Sequence, residues 1–181
     1  MEEADGAGIG GSDTFVEAFA RGLAVMRAFG SGAPSLTISE VAARAGRALK
    51  KCVLELGGSD PFLVMADADV VSVATQACVA RTQNAGQSCI ASKRFLVPEA
   101  IADAFAAHLR AALEALRVGD PRDEATDVGP LAREDLLVAL EDQVRRSVEA
   151  GAKLVTGGRR PRTQGFFYAP TLLDHVRPGM A

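Results

Sequence analysis

The chain has 181 residues, enough for one ordinary domain with a short appendage, and 48% of them are hydrophobic, a normal share for a packed core. Its formal net charge of −3 offers no overall attraction for polyphosphate or an anionic membrane surface, which weighs against nucleic-acid and membrane partners. The opening Met1-Glu2-Glu3-Ala4-Asp5 lacks the basic and apolar runs of a secretion signal, and no stretch reaches the ~18 apolar residues of a membrane span, so a cytoplasmic chain is expected.

Residues 1–13 are rich in Gly, Ala and acids without apolar periodicity, and are expected to be a disordered leader. From Thr14 the residues Phe15, Phe19, Leu23, Val25, Met26 and Phe29 recur at helical spacing until Gly30-Ser31-Gly32, predicting an amphipathic helix. A second short helix is predicted from Thr37 or Ser39 as cap, Glu40 in the first turn and Val41-Ala42-Ala43 before Gly46. Residues 14–46 therefore read as two short helices joined by a turn.

Beyond them, over residues 47–181, the pattern turns to alternating strands and helices. Apolar runs predict strands at 52–56, 61–65, 93–97, 152–156 and 166–173. A helix is predicted over 69–84, with Asp69 at its positive end and Val73, Ala77 and Ala80 on one face. Two longer helices follow, one carrying Ile101, Phe105, Leu109, Leu113 and Leu116, the other Leu136, Leu140, Val144 and Val148, with a loop over 119–130 between them. The expected class is α/β, in βαβ layers.

The 3 cysteines, Cys52, Cys78 and Cys89, show neither C-x-x-C nor a His-bearing metal spacing, so no disulfide framework and no metal site are expected. Cys52 and Cys78 fall in a predicted strand and helix and are expected to be packed. Cys89 lies in Gln83-Asn84-Ala85-Gly86-Gln87-Ser88-Cys89-Ile90, a polar, glycine-bearing stretch between a helix and a strand that leaves room for a substrate. A nucleophilic thiol needs access and help in losing its proton. Glu55, the one acid in the apolar run 52–56, is the candidate base, since partial burial raises a carboxylate pKa toward neutrality. Taken singly, a lone Cys is most often a small buried hydrophobe and a strand Glu most often faces solvent.

The pair together is more specific. Glu55-Leu56-Gly57-Gly58 followed by Gly86-Gln87-Ser88-Cys89 resembles the paired signature of the aldehyde dehydrogenase family. Ser59-Asp60-Pro61-Phe62, Asp67-Ala68-Asp69, Lys93-Arg94-Phe95, Val118-Gly119-Asp120-Pro121, Val128-Gly129-Pro130-Leu131 and Gly157-Gly158 extend the resemblance over residues 48–180. The family likeness implies Cys89 as nucleophile, its backbone N–H as an oxyanion donor and Glu55 as the base for hydrolytic water. It also implies Leu56, Gly57 and Gly58 on the nicotinamide side of NAD or NADP, and a small aldehyde as substrate. Ser59-Asp60-Pro61-Phe62, with Ser where many members have Lys, is similar to the bacterial succinate-semialdehyde dehydrogenase branch.

In that family most of the dinucleotide-binding domain, an oxyanion-hole Asn and a ribose-contacting Lys precede the Glu strand. A Glu-x-Phe-Gly-Pro segment and oligomerisation strands follow a string like the one over 175–180. The expectation is a catalytic-domain fragment, truncated at both ends, of a homo-oligomeric family, with weak or no activity in isolation. Residues 15–46, through Leu36-Thr37-Ile38-Ser39-Glu40-Val41-Ala42-Ala43-Arg44-Ala45-Gly46, resemble the start of an IclR-type helix-turn-helix regulator. The alternative that follows is a DNA-binding regulator fused to a non-catalytic remnant. Arg47-Ala48-Leu49-Lys50-Lys51 stands where a recognition helix belongs, so specific DNA binding is not expected.

Overall fold

A computed structural model describes residues 37–53, 57–161 and 164–180. Residues 1–56 and 57–181 form separate units. In the first, helix α1 spans Ile38–Arg47. Thr37 caps it: its hydroxyl accepts from the Glu40 N–H at 3.3 Å while the Glu40 carboxylate accepts from the Thr37 N–H at 2.7 Å. That reciprocal pair satisfies two backbone donors that the helix start leaves open, and it holds the Glu40 carboxyl below the usual carboxylate range. The helix expected before Gly30 lies outside the described residues. Cys52 and Val53 are irregular and exposed, so the strand expected at 52–56 is not seen at its described positions; 54–56 lie outside them.

The second unit opens with a β-α-β step. Strand β1, Pro61–Leu63, and strand β2, Arg94–Leu96, pair in parallel, in the register Pro61↔Arg94, Phe62↔Phe95, Leu63↔Leu96. Parallel neighbours need a crossover, and helix α2, Val70–Thr82, supplies it. Asp69 is its N-cap, accepting from the Ser72 N–H at 2.7 Å. Helix α3, Glu99–Ala115, buries Phe105, Leu109 and Leu113, a stripe at helical spacing. That stripe packs on Ala74, Ala77 and Cys78 of α2 and on Val64, and small residues on α2 let the two helices approach closely. Phe62, Phe95 and Phe105 join strands to helix, with ring centroids 5.5 Å and 5.9 Å apart in sequence.

Helix α4, Glu134–Glu149, turns a different face inward from the one the apolar pattern suggests. Leu137 and Ser147 are buried and Leu140 and Val144 half-buried, whereas Leu136 and Val148 are exposed. The inward stripe therefore begins one residue later than expected, because Leu137 offers the same apolar area as Leu136 and packing chooses between them. Strands β3, Lys153–Thr156, and β4, Leu172–Asp174, pair antiparallel. The strand expected at 166–173 is reduced to its last part: Phe167 and Tyr168 are buried consecutively, not alternately, and Pro170 has no N–H for a ladder. This stretch instead meets the rest of the unit through single bonds, Leu131 N–H to Phe166 O at 2.8 Å and Ala169 N–H to Arg159 O at 3.0 Å. No described helix is long and apolar enough to cross a membrane.

Two stability predictions follow from this packing. Leu109 is 1% exposed and sits at the centre of the α2–α3 contact, so Leu109→Ala should cost about 2–5 kcal/mol in urea titration, while Val138→Ala, at a 51% exposed position, should stay within about 0.5 kcal/mol. Tyr168 is the only tyrosine, and burial, seconded by the Glu141 charge, pushes its phenol pKa up. A raised folded-state pKa means the contribution to stability is complete below the unfolded value of about 10 and is lost as pH rises through the folded value. The ultraviolet titration of this single phenol should have its midpoint above that of the denatured chain, and Tyr168→Phe should flatten the alkaline loss of stability.

Candidate active site

Because β1 and β2 run parallel in the register Pro61↔Arg94, the segments entering them lie at one end of the pair. Gly57 to Asp60 leads into β1 and Ser88 to Lys93 leads into β2. Two cations tie these approaches together: the Lys93 ammonium donates to the Gly58 carbonyl, and the Arg94 guanidinium donates to the Ser59 carbonyl, through Nε at 3.0 Å and through Nη2. The backbone at Gly57 and Gly58 is open. Among the described residues, a Cβ at 57 would meet nothing within 4 Å, and one at 58 would meet only the Asp60 Oδ1 at 3.9 Å.

The approach to β2 carries Cys89. Helix α2 ends at Thr82 and continues as a 3-10 turn, Gln83–Gly86, in which Asn84, Ala85 and Gly86 all take left-handed backbone angles, with φ of 50°, 53° and 74°. For a non-glycine residue such a conformation costs on the order of 1–3 kcal/mol and survives only where surrounding bonds dictate it. Those bonds come from two side chains. Arg81, in the last turn of α2, donates through Nη2 to Gly86 O at 2.9 Å and through Nη1 to Ser92 O at 3.3 Å and Ala91 O at 3.5 Å. Its partial burial lowers the guanidinium pKa, and the three carbonyls compensate that desolvation. Gln87 bonds the loop outward, donating to Asn84 O at 3.2 Å and Pro130 O at 3.5 Å while its side-chain oxygen accepts from the Ala132 N–H at 2.8 Å.

Cys89 itself stands at the corner of a tight turn closed by the Ala91 N–H to Ser88 O bond of 3.1 Å, and it is exposed. No described group accepts a hydrogen bond from its backbone N–H. Cys78 is buried, and desolvation, with the Asp127 charge second, pushes its thiol pKa up, which makes it a poor nucleophile. Cys52 is exposed, not packed as its apolar context suggested; its thiol reaches only the carbonyls of Ala42 and Lys50, each at 3.9 Å.

Cys89 lines neither of two cavities seen among the described residues. One, of about 110 Å³, lies inward of the loop among Arg81, Gly86, Leu113, Val128 and Tyr168. The other, of about 370 Å³, is an open groove between α3 and strands β3 and β4, rimmed by Asp103, Arg110, Glu114, Lys153 and Asp174. Among the described residues no cluster of three or more His, Cys, Asp or Glu could hold a metal ion. Of the candidates named from sequence, Cys89, Gly57 and Gly58 are described, while Glu55 and Leu56 lie outside the described residues. Sequence reasoning passed over Arg81, Gln87, Lys93 and Arg94 as organisers of the loop. The available signal was Arg81, the lone cation in Val70–Thr82, placed at that helix's last turn.

Comparison with known proteins gives this geometry a family. The model of the aldehyde dehydrogenase family matches residues 20–181. The chain is 50% identical over 140 residues to a succinate semialdehyde dehydrogenase [NAD(P)+] of Escherichia coli (strain K12), covering 77% of this chain and 30% of that protein. It is 47% identical over 163 residues to a succinate-semialdehyde dehydrogenase [NADP(+)] of Mycobacterium leprae (strain TN), covering 87% of this chain and 36% of that one. Among solved structures, a succinate-semialdehyde dehydrogenase from Burkholderia pseudomallei superposes with a TM-score of 0.73 at 37% identity, over 77% of this chain and 29% of that one. An aldehyde dehydrogenase of Mycobacterium tuberculosis complexed with NAD+ does so with a TM-score of 0.72 at 36% identity, over 78% and 30%. The chain thus spans about a third of the length of these relatives. With a family match running through both the Gly57-Gly58 strip and the Cys89 turn, this chain belongs to the aldehyde dehydrogenase family.

Proposed function

We propose that residues 47–181 are the nucleophile-bearing part of an aldehyde dehydrogenase that oxidises succinate semialdehyde with NAD or NADP. The observation that carries this reading is the meeting of the Gly57–Ser59 strip and the Cys89 turn at one end of the β1–β2 pair, held by Lys93 and Arg94. The substrate is taken from the relatives, which are succinate-semialdehyde dehydrogenases of the NAD(P)+ and NADP(+) kinds. The same reading assigns a cytoplasmic location, a small aldehyde as partner, no specific nucleic acid, and homo-oligomeric assembly for the whole enzyme.

Attack of the Cys89 sulfur on the aldehyde carbon forms a C–S bond and leaves negative charge on oxygen. The Cys89 N–H, unengaged by any described group, is available to that oxygen. A bound NAD or NADP would supply a hydride acceptor for oxidation of this adduct to a thioester, and Leu56, Gly57 and Gly58 would lie on its nicotinamide side by the family resemblance. Glu55, by the family resemblance, then takes a proton from the water that attacks the thioester, freeing the carboxylate and returning the thiol. The open backbone at Gly57 and Gly58 suits the nicotinamide side of a cofactor, because no described side chain beyond Asp60 comes within 4 Å of a Cβ placed there. Neither of the two cavities described above is lined by Cys89, Gly57 or Gly58.

That imbalance predicts separable activities. Holding the reacting partners in place can supply about 7–11 kcal/mol of barrier lowering; this chain spans 30% and 36% of the lengths of its relatives, and the reading leaves most of the hold on the cofactor to the remainder of the enzyme. With succinate semialdehyde and NAD or NADP the isolated chain should show no appreciable turnover, yet an activated ester such as p-nitrophenyl acetate should acylate Cys89, as mass mapping would show. Cys89→Ser should abolish that acylation. Acylation that persists elsewhere at the same rate would remove Cys89 as the nucleophile. Cys89-dependent aldehyde turnover near ordinary enzyme rates, about 1–10³ s⁻¹, would show that the chain holds its cofactor after all.

A further inference from the structure

We propose that Arg81 is the positioning residue of the Cys89 turn, clamping both of its stems through one guanidinium, a role that rests on the reading of Cys89 as nucleophile. The carbonyls it binds flank the cysteine on either side: Gly86 before it, Ala91 and Ser92 after it. The loop's other bonds are local or reach only one stem, as with Ser92 N–H to Ala80 O at 3.2 Å and Gln87 N–H to Asn84 O at 3.1 Å. A planar fork donates to the two stems from separate nitrogens, Nη2 to Gly86 and Nη1 to Ala91 and Ser92, whereas a lysine ammonium would have to reach both from one centre. Its place in the last turn of α2 also sets the positive charge at the negative end of that helix.

Gly86 completes the device. A Cβ at residue 86 would stand 2.1 Å from the Arg81 Nη2 and 2.9 Å from its Cζ, so glycine is the residue that lets the guanidinium sit against the loop. The same position has φ of +74°, which a side chain would also strain. The left-handed run Asn84-Ala85-Gly86 and the guanidinium therefore specify each other, and between them they fix where the Cys89 N–H and thiol stand. Arg81 touches neither substrate nor cofactor in this scheme. It acts through the backbone that presents the nucleophile and its oxyanion donor together.

The test compares two reactions of one thiol in the full chain. Iodoacetamide alkylation needs only the Cys89 sulfur, whereas acylation by p-nitrophenyl acetate also uses the oxyanion donor, so their ratio reads the placement of the N–H relative to the sulfur. Exposed Cys52 serves as the internal reference and buried Cys78 as the report on folding. Arg81→Met should lower the acylation-to-alkylation ratio at Cys89 roughly 10–100-fold, short of the 10²–10³-fold typical of deleting an oxyanion donor outright. It should also speed amide exchange in the 84–92 peptide about tenfold or more, with α3 unchanged and Cys78 still protected. Arg81→Lys should recover only part of the ratio. An Arg81→Met protein with wild-type ratio and wild-type exchange overturns the proposal. If the wild-type chain acylates Cys89 no faster than Cys52, the nucleophile reading fails, and the exchange measurement alone decides whether Arg81 holds the loop. If Arg81→Met exposes Cys78, Arg81→Lys decides: a protected Cys78 with a lowered ratio supports the clamp, and one with an unchanged ratio overturns it.

Discussion

The contact on which the second unit depends is the run of three phenyl rings, Phe62 on β1, Phe95 on β2 and Phe105 on α3. Phe62 and Phe95 are register partners, so their contact fixes which residue of one strand faces which residue of the other. Slipping that register by one residue would turn one ring to the face opposite the other and break up the seat of α3. Fixing it also fixes what precedes each strand. Pro61 comes to lie opposite Arg94, and the glycine strip and the cysteine turn are brought to one end of the pair. The placement of the site thus follows from core packing a few residues further along each strand.

A second layer of organisation is electrostatic and local. The backbone around Cys89 leaves helical geometry in steps that ordinary residues avoid, and carbonyl groups freed by that departure need donors. Arg81 and Gln87 supply them from opposite sides, one from the helix that ends there and the other toward the segment of Pro130 and Ala132. Lys93 and Arg94 do the same for the carbonyls of Gly58 and Ser59. The exposed thiol therefore stands on backbone held by charged or amide side chains, a way of making a turn rigid without burying it. The exposed ion pairs on α4, such as Arg145 with Asp142 and Glu149, add little by comparison, being open to solvent.

The parallel pair is covered on one face only. Phe62 and Phe95 turn inward, while Leu63, at 64% exposure, and Leu96, at 54%, lie together on the other side, with Met65 exposed beyond them. Parallel strands are normally buried on both faces, so this surface is apolar beyond what two isolated strands would carry. The chain spans 30% and 36% of the lengths of its succinate-semialdehyde dehydrogenase relatives.

Much of this was legible in the order of residues. Glu55-Leu56-Gly57-Gly58 and Gly86-Gln87-Ser88-Cys89 pointed to the family that the whole-chain match bears out, because a motif is written in residue identity and spacing. Helices α2 and α3 were equally readable, and Thr37 was one of two caps considered for α1, since apolar periodicity and capping are local properties; that Asp69 caps α2 rather than only standing at its positive end came from the structure. Tertiary structure decided the rest. Leu136 and Leu137 are alike as side chains, and only the neighbours of α4 select which is buried. Cys52 lies in an apolar context yet is exposed, because burial depends on what packs against a segment and not on its own composition. Arg81 is the clearest case: its partners Gly86, Ala91 and Ser92 are carbonyls, which every residue carries, so no pattern of side chains could announce them. Sequence determined which groups could do chemistry here, because reactivity belongs to residue type; the fold decided which of them meet, because proximity belongs to packing.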